Sequence, residues 1–261
     1  MTAEAFASKD WNVVATMRNP EKETDLKTLP NVSVLHLDVQ KAETIEAAVS
    51  EVIAKFGSID VLINNAGYGS LGFFEGTPID EIQRQYDVNV FGVMRVTQVV
   101  LPHMRKAKGG TIVNVSSVAG GHTNALGSVY YSSKWALEAW TECLSYELLP
   151  LGIQLKLVQP GGFKTDFGSR SLVFSAPPPD VPEYQPMMEK VQKSMVDALL
   201  DLPDPNPVVP DAIYLAATEG DPAKLRYPVY VDGDPYGTLY ALRKEKGPDA
   251  QYQAVLAAQQ E

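Results

Sequence analysis

Short apolar runs alternate with longer stretches of helical periodicity along most of this chain, and that alternation leaves few architectures open. Residues 12–18 (NVVATMR), 32–38 (VSVLHLD), 60–64 (DVLIN), 111–115 (TIVNV), 153–158 (IQLKLV) and 227–231 (YPVYV) read as strands. Helical patterns fall between them. One runs over 42–56, with Ile45, Val49, Val52, Ile53 and Phe56 on a single stripe. Others run over 79–106, 128–149 and 210–218. Successive side chains of a strand point to opposite faces of its sheet, so a strand apolar throughout is buried on both. Helices with one apolar stripe supply the two covers. The expected class is therefore α/β: a doubly wound parallel sheet with helices on both faces. Such sheets bind ligands beyond the C-terminal ends of their strands.

The 261 residues suit one domain spanning 1–261. The net charge of -10 argues against a nucleic-acid partner, whose phosphates call for a basic surface. The basic cluster Arg105, Lys106 and Lys108 suits a helix C-terminus. One cysteine, Cys143, excludes an intramolecular disulfide, and the scattered His36, His103 and His122 do not suggest a metal site. No apolar run is long enough for a membrane helix, and the opening MTAEAFASKD does not read as a signal peptide. A cytoplasmic protein without membrane or metal is the expectation. Prolines crowd residues 175–210, which reads as a flap over the strand ends, a plain surface insertion being the other reading. Residues 233–261 read as a polar tail.

The chemistry concentrates in Tyr130-Tyr131-Ser132-Ser133-Lys134, at the start of a helix. Tyr130 and Lys134 are four residues apart and share a face. A phenol titrates near 10, and a neighbouring ammonium favours the phenolate and so lowers that value. Tyr130 could then exchange a proton with a carbonyl or alcohol oxygen. Tyr131 has Trp135, not lysine, four residues on. Ser117 closes NVSS at a strand end, where its hydroxyl could orient a substrate oxygen or make only a local turn bond. NNAG (64–67) and PGGFKT (160–165) follow two other strands. Asn89 lies mid-helix in DVNVFG, where asparagine is a weak helix former.

In this order and spacing, NNAG, the asparagine of DVNVFG, NVSS, YYSSK and PGGFKT resemble the short, single-domain branch of the short-chain dehydrogenase/reductase family, over about residues 3–231. The resemblance implies a Rossmann-like fold and a catalytic set of Asn89, Ser117, Tyr130 and Lys134. Asn89 would hold a water linking Lys134 to solvent, and Lys134 would also bind the nicotinamide ribose. Asp38 matches the residue near the adenine amino group. Asn65, Ala66 and Gly67 match the adenosine side, and Pro160, Gly161, Phe163 and Thr165 match the loop that contacts the nicotinamide carboxamide. The cofactor expectation is NADP rather than NAD, because the second strand of the family pattern ends here without an acid and with Arg18, unless Arg18 is simply a surface residue.

The family pattern opens with a strand and a TGxxxGxG loop that holds the pyrophosphate at a helix N-terminus. Neither occurs in this sequence, whose opening resembles the helix that follows that loop. A start codon placed too far downstream and a genuine truncation are the two explanations. Loss of that central strand would impair both stability and cofactor binding. The expected activity is hydride transfer between NADP(H) and a carbonyl or secondary alcohol, with a homodimer or homotetramer as the assembly. Phe73, Phe74, Phe163, Phe167, Met187 and Met188 either line an apolar substrate pocket or belong to the core. A catalytically silent binding or regulatory protein is the rival reading. A sugar-nucleotide epimerase is disfavoured by the chain's length and by the NNAG and NVSS pair.

Overall fold

The structure is a computed structural model that describes residues 1–190 and 202–260. Its main sheet has four parallel strands: β3 (Val61–Asn64), β5 (Gly110–Val115), β6 (Ile153–Pro160) and β8 (Arg226–Val229), in that spatial order. A separate parallel pair joins β1 (Val13–Met17) to β2 (Val32–His36), and another joins β4 (Gly69–Gly72) to β7 (Leu172–Ser175). Helices α1 (Thr2–Ala7), α2 (Ala42–Phe56), α4 (Val93–Ala107) and α7 (Val208–Thr218) help to cover the two faces, α3 (Ile79–Tyr86) preceding α4 in the chain. The doubly wound reading holds.

Strand alternation divides the core. Val113 and Val158 face Phe6 of α1 and Ile213 of α7. Their neighbours Ile112 and Leu155 face Ile45 and Val49 of α2 and Val96 and Val100 of α4. Each such fully buried aliphatic side chain stabilises the fold by roughly 1.5–3 kcal/mol.

The sheet is interrupted. β1 pairs only with β2, and β3 pairs only with β5. A groove of about 990 Å³ lies between them, lined by Val14, Thr16, Val61 and Ile63 and by helix residues from both faces, among them Phe6 and Val49. Helix packing attaches β1–β2 to the rest: α1 meets α7 through Phe6 and Tyr214, whose ring centres are 5.1 Å apart, and α2 packs on α4. The reading of residues 12–18 as a buried strand is therefore corrected. β1 is at most half-buried, because one edge has no neighbouring strand, whereas β6 between two neighbours is buried along nearly its whole length.

Residues 79–106 are not one continuous α-helix. A π-helical turn, Asp87–Gly92, separates α3 from α4 and carries Asn89. Such turns occur often at functional sites. In the stretch read as a flap, residues 191–201 lie outside the described residues. Its described part leans on the end of β4: the Phe73 and Tyr184 rings are 4.9 Å apart, and the Tyr184 hydroxyl donates to Glu75 Oε2 at 2.9 Å. The segment read as a polar tail is in fact two helices, α8 (Pro235–Lys246) and α9 (Pro248–Gln260). They dock through polar contacts, such as Gln251 Nε2 donating to Thr123 O at 2.6 Å, and so leave no strong apolar stripe to read. Among the described residues, no helix is long and apolar enough to cross a membrane.

Candidate active site

The C-terminal ends of β3, β5 and β6 lie side by side, because all three strands are parallel and in register. A buried ladder ties them together. Asn64 and Asn114 are register partners, and Asn64 Nδ2 donates to Asn114 Oδ1 at 2.9 Å. Asn114 Nδ2 donates in turn to Thr141 Oγ1 of α5 (Ser128–Leu148) at 2.9 Å. Above that ladder the chain turns at Ser117. Its hydroxyl donates to Pro160 O at 3.2 Å and accepts the Ala119 N–H at 3.1 Å, so the ends of β5 and β6 are joined.

Helix α5 presents Tyr130 and Lys134 on successive turns beside Ser117. Lys134 Nζ donates to Val115 O at 3.1 Å and lies 6.0 Å from the centre of the Tyr130 ring. Gly67 lies against this cluster: a Cβ there would stand 3.3 Å from Asn89 Oδ1 and 4.0 Å from Lys134 Nζ, a tight contact. The structure thus brings Asn89, Ser117, Tyr130 and Lys134 together. Asn89 differs from expectation in detail. Its Oδ1 accepts the Tyr68 N–H at 3.0 Å, while Nδ2 donates to Tyr68 O at 2.8 Å and approaches Ser133 Oγ at 3.5 Å. The amide clamps the backbone of Tyr68.

Burial dominates the electrostatics. Phe167 lies 5.7 Å from the Tyr130 ring, and burial pushes the Tyr130 phenol up to about 12, while a hydrogen bond with Ser117 pulls it back. Burial pushes Lys134 down to about 8, opposed by the charge of Glu138 one turn on. The expectation that Lys134 makes Tyr130 more acidic is therefore corrected for this state. Loss of water around the phenol is the larger effect and the Ser117 bond the smaller, opposing one.

The residues matched to the cofactor divide into two groups. Arg18, Asp38, Asn65, Ala66 and Gly67 line the groove between β1 and β3. That groove lies where β1 and β3 have no strand between them and is walled by core side chains, among them Phe6, Val49 and Val96, so its volume measures a gap in the core rather than a ligand site; Arg18, just past the end of β1, is exposed. Pro160, Gly161, Phe163 and Thr165 lie on the far side of the Ser117 turn. Phe163 packs its ring into the core beside Val113 and Ile213, so only its backbone can meet a ligand. Thr165 caps α6 (Asp166–Arg170), its hydroxyl accepting the Phe167 N–H at 3.3 Å.

The family model for short chain dehydrogenases matches residues 1–172. This chain belongs to the short-chain dehydrogenase family. The uncharacterized oxidoreductase YusZ of Bacillus subtilis is 38% identical over 237 residues, covering 88% of this chain and 84% of that protein. A short-chain dehydrogenase crystal structure from Streptomyces avermitilis superposes with a TM-score of 0.78 at 33% identity, covering 94% of this chain and 88% of the other. ElxO with NADP bound superposes with a TM-score of 0.69 at 26% identity, covering 87% of this chain and 91% of the other. As a member of that family, the chain is an NAD(P)-dependent oxidoreductase.

Several residues that shape the site of this short-chain dehydrogenase escape a reading of the sequence. Gln85 Oε1 accepts the Ser70 N–H at 2.6 Å and its Nε2 donates to Tyr68 O at 3.0 Å, doubling the clamp made by Asn89. The spacing of Gln85 and Asn89, four residues apart, was the available signal. Glu138, 5% exposed, accepts from Gln159 Nε2 at 3.0 Å and from Arg226 Nε at 2.9 Å. It stands four residues after Lys134, as Lys134 stands four after Tyr130, which was visible in the sequence. The partner Arg226 comes from a distant strand and was not.

Proposed function

We propose that this short-chain dehydrogenase reduces a carbonyl group with NADPH, with Tyr130 as the proton donor. The observation that carries the reading is geometric: α5 sets Tyr130 and Lys134 on successive turns beside Ser117, with Lys134 Nζ 6.0 Å from the centre of the Tyr130 ring, so a phenol stands where it could give a proton to an oxygen that gains negative charge. Ser117 orients the carbonyl oxygen toward Tyr130. Lys134 has one of its three donors on Val115 O, leaving two for the ribose hydroxyls. With its affinity for a proton lowered toward 8, Lys134 is poised to return a proton to Tyr130 after transfer. When bound, the cofactor supplies the hydride to the carbonyl carbon.

Arg18, exposed just past the end of β1, suits a 2′-phosphate and supports NADP over NAD. Pro160, Gly161, Phe163 and Thr165 would meet the nicotinamide carboxamide, with Phe163 contributing backbone only. Asp38 and residues 65–67 would flank the adenosine. The substrate surface is narrower than the list of aromatic residues suggests. Phe163 is core, Phe73 is buried against Tyr184, and Phe74 is exposed, which leaves Phe167, tilted against the Tyr130 ring at 5.7 Å, as the aromatic contact for a hydrophobic carbonyl.

The test is NADPH oxidation, followed at its absorbance, with a panel of aliphatic and aromatic ketones and aldehydes. Consumption that depends on the carbonyl and is faster with NADPH than NADH is expected. No turnover of any carbonyl, with NADPH bound all the same, would leave the rival, a catalytically silent binding protein. The gap in the sheet between β1 and β3 favours that rival.

A further inference from the structure

The turn after β6 is gripped by a part of the chain outside the family match, which ends at residue 172. Gly161 N–H donates to Val229 O at 2.7 Å, one residue past the end of the strand. The next amide leaves the sheet. Gly162 N–H donates to Asp234 Oδ2 at 3.1 Å. The other oxygen of the same carboxylate accepts the Tyr236 N–H at 3.0 Å and caps α8. Asp234 is only 4% exposed. A buried carboxylate is costly unless its oxygens are bonded, and these two amides supply bonds to both.

The fit is close. A Cβ on Gly161 would collide with the Asp234 carboxylate and stand 2.9 Å from Tyr230 Cβ. The same helix reaches the catalytic turn. Tyr240 donates its hydroxyl to Gln159 Oε1 at 3.0 Å, immediately before Pro160, and its ring fills the space that a side chain at Gly121 would take. So α8 bears on both turns that the bond from Ser117 to Pro160 already joins.

We propose that Asp234 is a positioning residue for the cofactor: it fixes the Gly162 amide and so holds the Pro160–Phe163 turn in the shape that receives the nicotinamide end. This rests on the proposed function, which takes that turn as a cofactor contact. The chemistry calls for a carboxylate, because one short side chain must offer acceptors to two amides. A serine hydroxyl is a good helix cap but holds one amide.

The experiment compares wild type with Asp234→Ser by NADPH fluorescence titration, thermal melt and amide exchange at Gly162. Asp234→Ser should melt within a few degrees of wild type, because the α8 cap survives. Its Kd for NADPH should rise about tenfold or more, the loss expected for one charge-assisted hydrogen bond, and the Gly162 amide should exchange faster. Asp234→Asn, which keeps the size but loses one acceptor, should weaken NADPH in the same way and serves if the serine variant does not fold. Gly161→Ala should cost less binding in the Asp234→Ser background than in wild type, since the collision is relieved. An unchanged Kd in both Asp234 variants overturns the inference and leaves Asp234 a helix cap. Wild type that binds neither NADPH nor NADH removes the proposed function, and this inference with it.

Discussion

Replacing Lys134 by Met should make the protein more stable at neutral pH while disabling it. Burial lowers Lys134 from 10.5 to about 8, a difference of 2.5. At ~1.36 kcal/mol per pKa unit, the folded chain spends about 3 kcal/mol on a desolvated ammonium below pH 8. Methionine keeps most of the packing of the lysine stem and carries no charge. It loses the hydrogen bond to Val115 O, which costs about 1 kcal/mol. The net gain is about 2 kcal/mol, or roughly 4–8 °C in melting temperature for a chain of this size. The sign with pH follows from linkage. The folded state binds this proton less readily than the unfolded state, so the penalty is full below pH 8 and fades as pH rises toward 10.5. Thermal melts of the cofactor-free proteins at pH 7 and pH 10 measure it. The variant should melt higher at pH 7, with the gap nearly closed at pH 10, and its turnover should drop about 10²–10⁴-fold. A variant that melts at or below wild type at pH 7, or a gap that persists to pH 10, refutes the burial argument.

Arg18→Ala should weaken NADPH about tenfold to a hundredfold while leaving NADH nearly unchanged, because only the 2′-phosphate loses a charged partner; paired titrations check it. Native-state hydrogen exchange should find the β1 and β2 amides opening at lower free energy than those of β5 and β6. The first pair has a single ladder and the second pair lies inside the sheet. Equal protection across both would mean that the groove between β1 and β3 costs the pair nothing.

The strands β1, β2, β3, β5, β6 and β8 and their parallel direction were legible because each is an apolar run between helices, whereas the short pair β4 and β7 was not, β4 being the glycine-rich GSLG. The interruption was legible in part, since no strand run precedes residue 12, but the half-exposure of β1 follows from an absent neighbour and not from its own residues. Ser117, Tyr130 and Lys134 were readable from spacing, because four residues make one helical turn and a strand end fixes the serine. The direction of the Tyr130 shift was not readable. It depends on burial by Phe167 and neighbours distant in sequence. Asn89 was singled out as an unfavourable helix residue, yet its partner, the Tyr68 backbone, emerged only with the π turn. The helices α8 and α9 were missed because their anchors are Tyr240, Gln251 and Asp234 rather than an apolar stripe.

The central claim is that the Tyr130 hydroxyl delivers the proton, and Tyr130→Phe tests it most directly. The substitution removes one oxygen from a half-buried ring and leaves the groove untouched. Carbonyl-dependent NADPH oxidation should fall about 10²–10⁴-fold, with the Kd for NADPH within a few-fold of wild type. Turnover close to wild type in the phenylalanine variant contradicts the assignment.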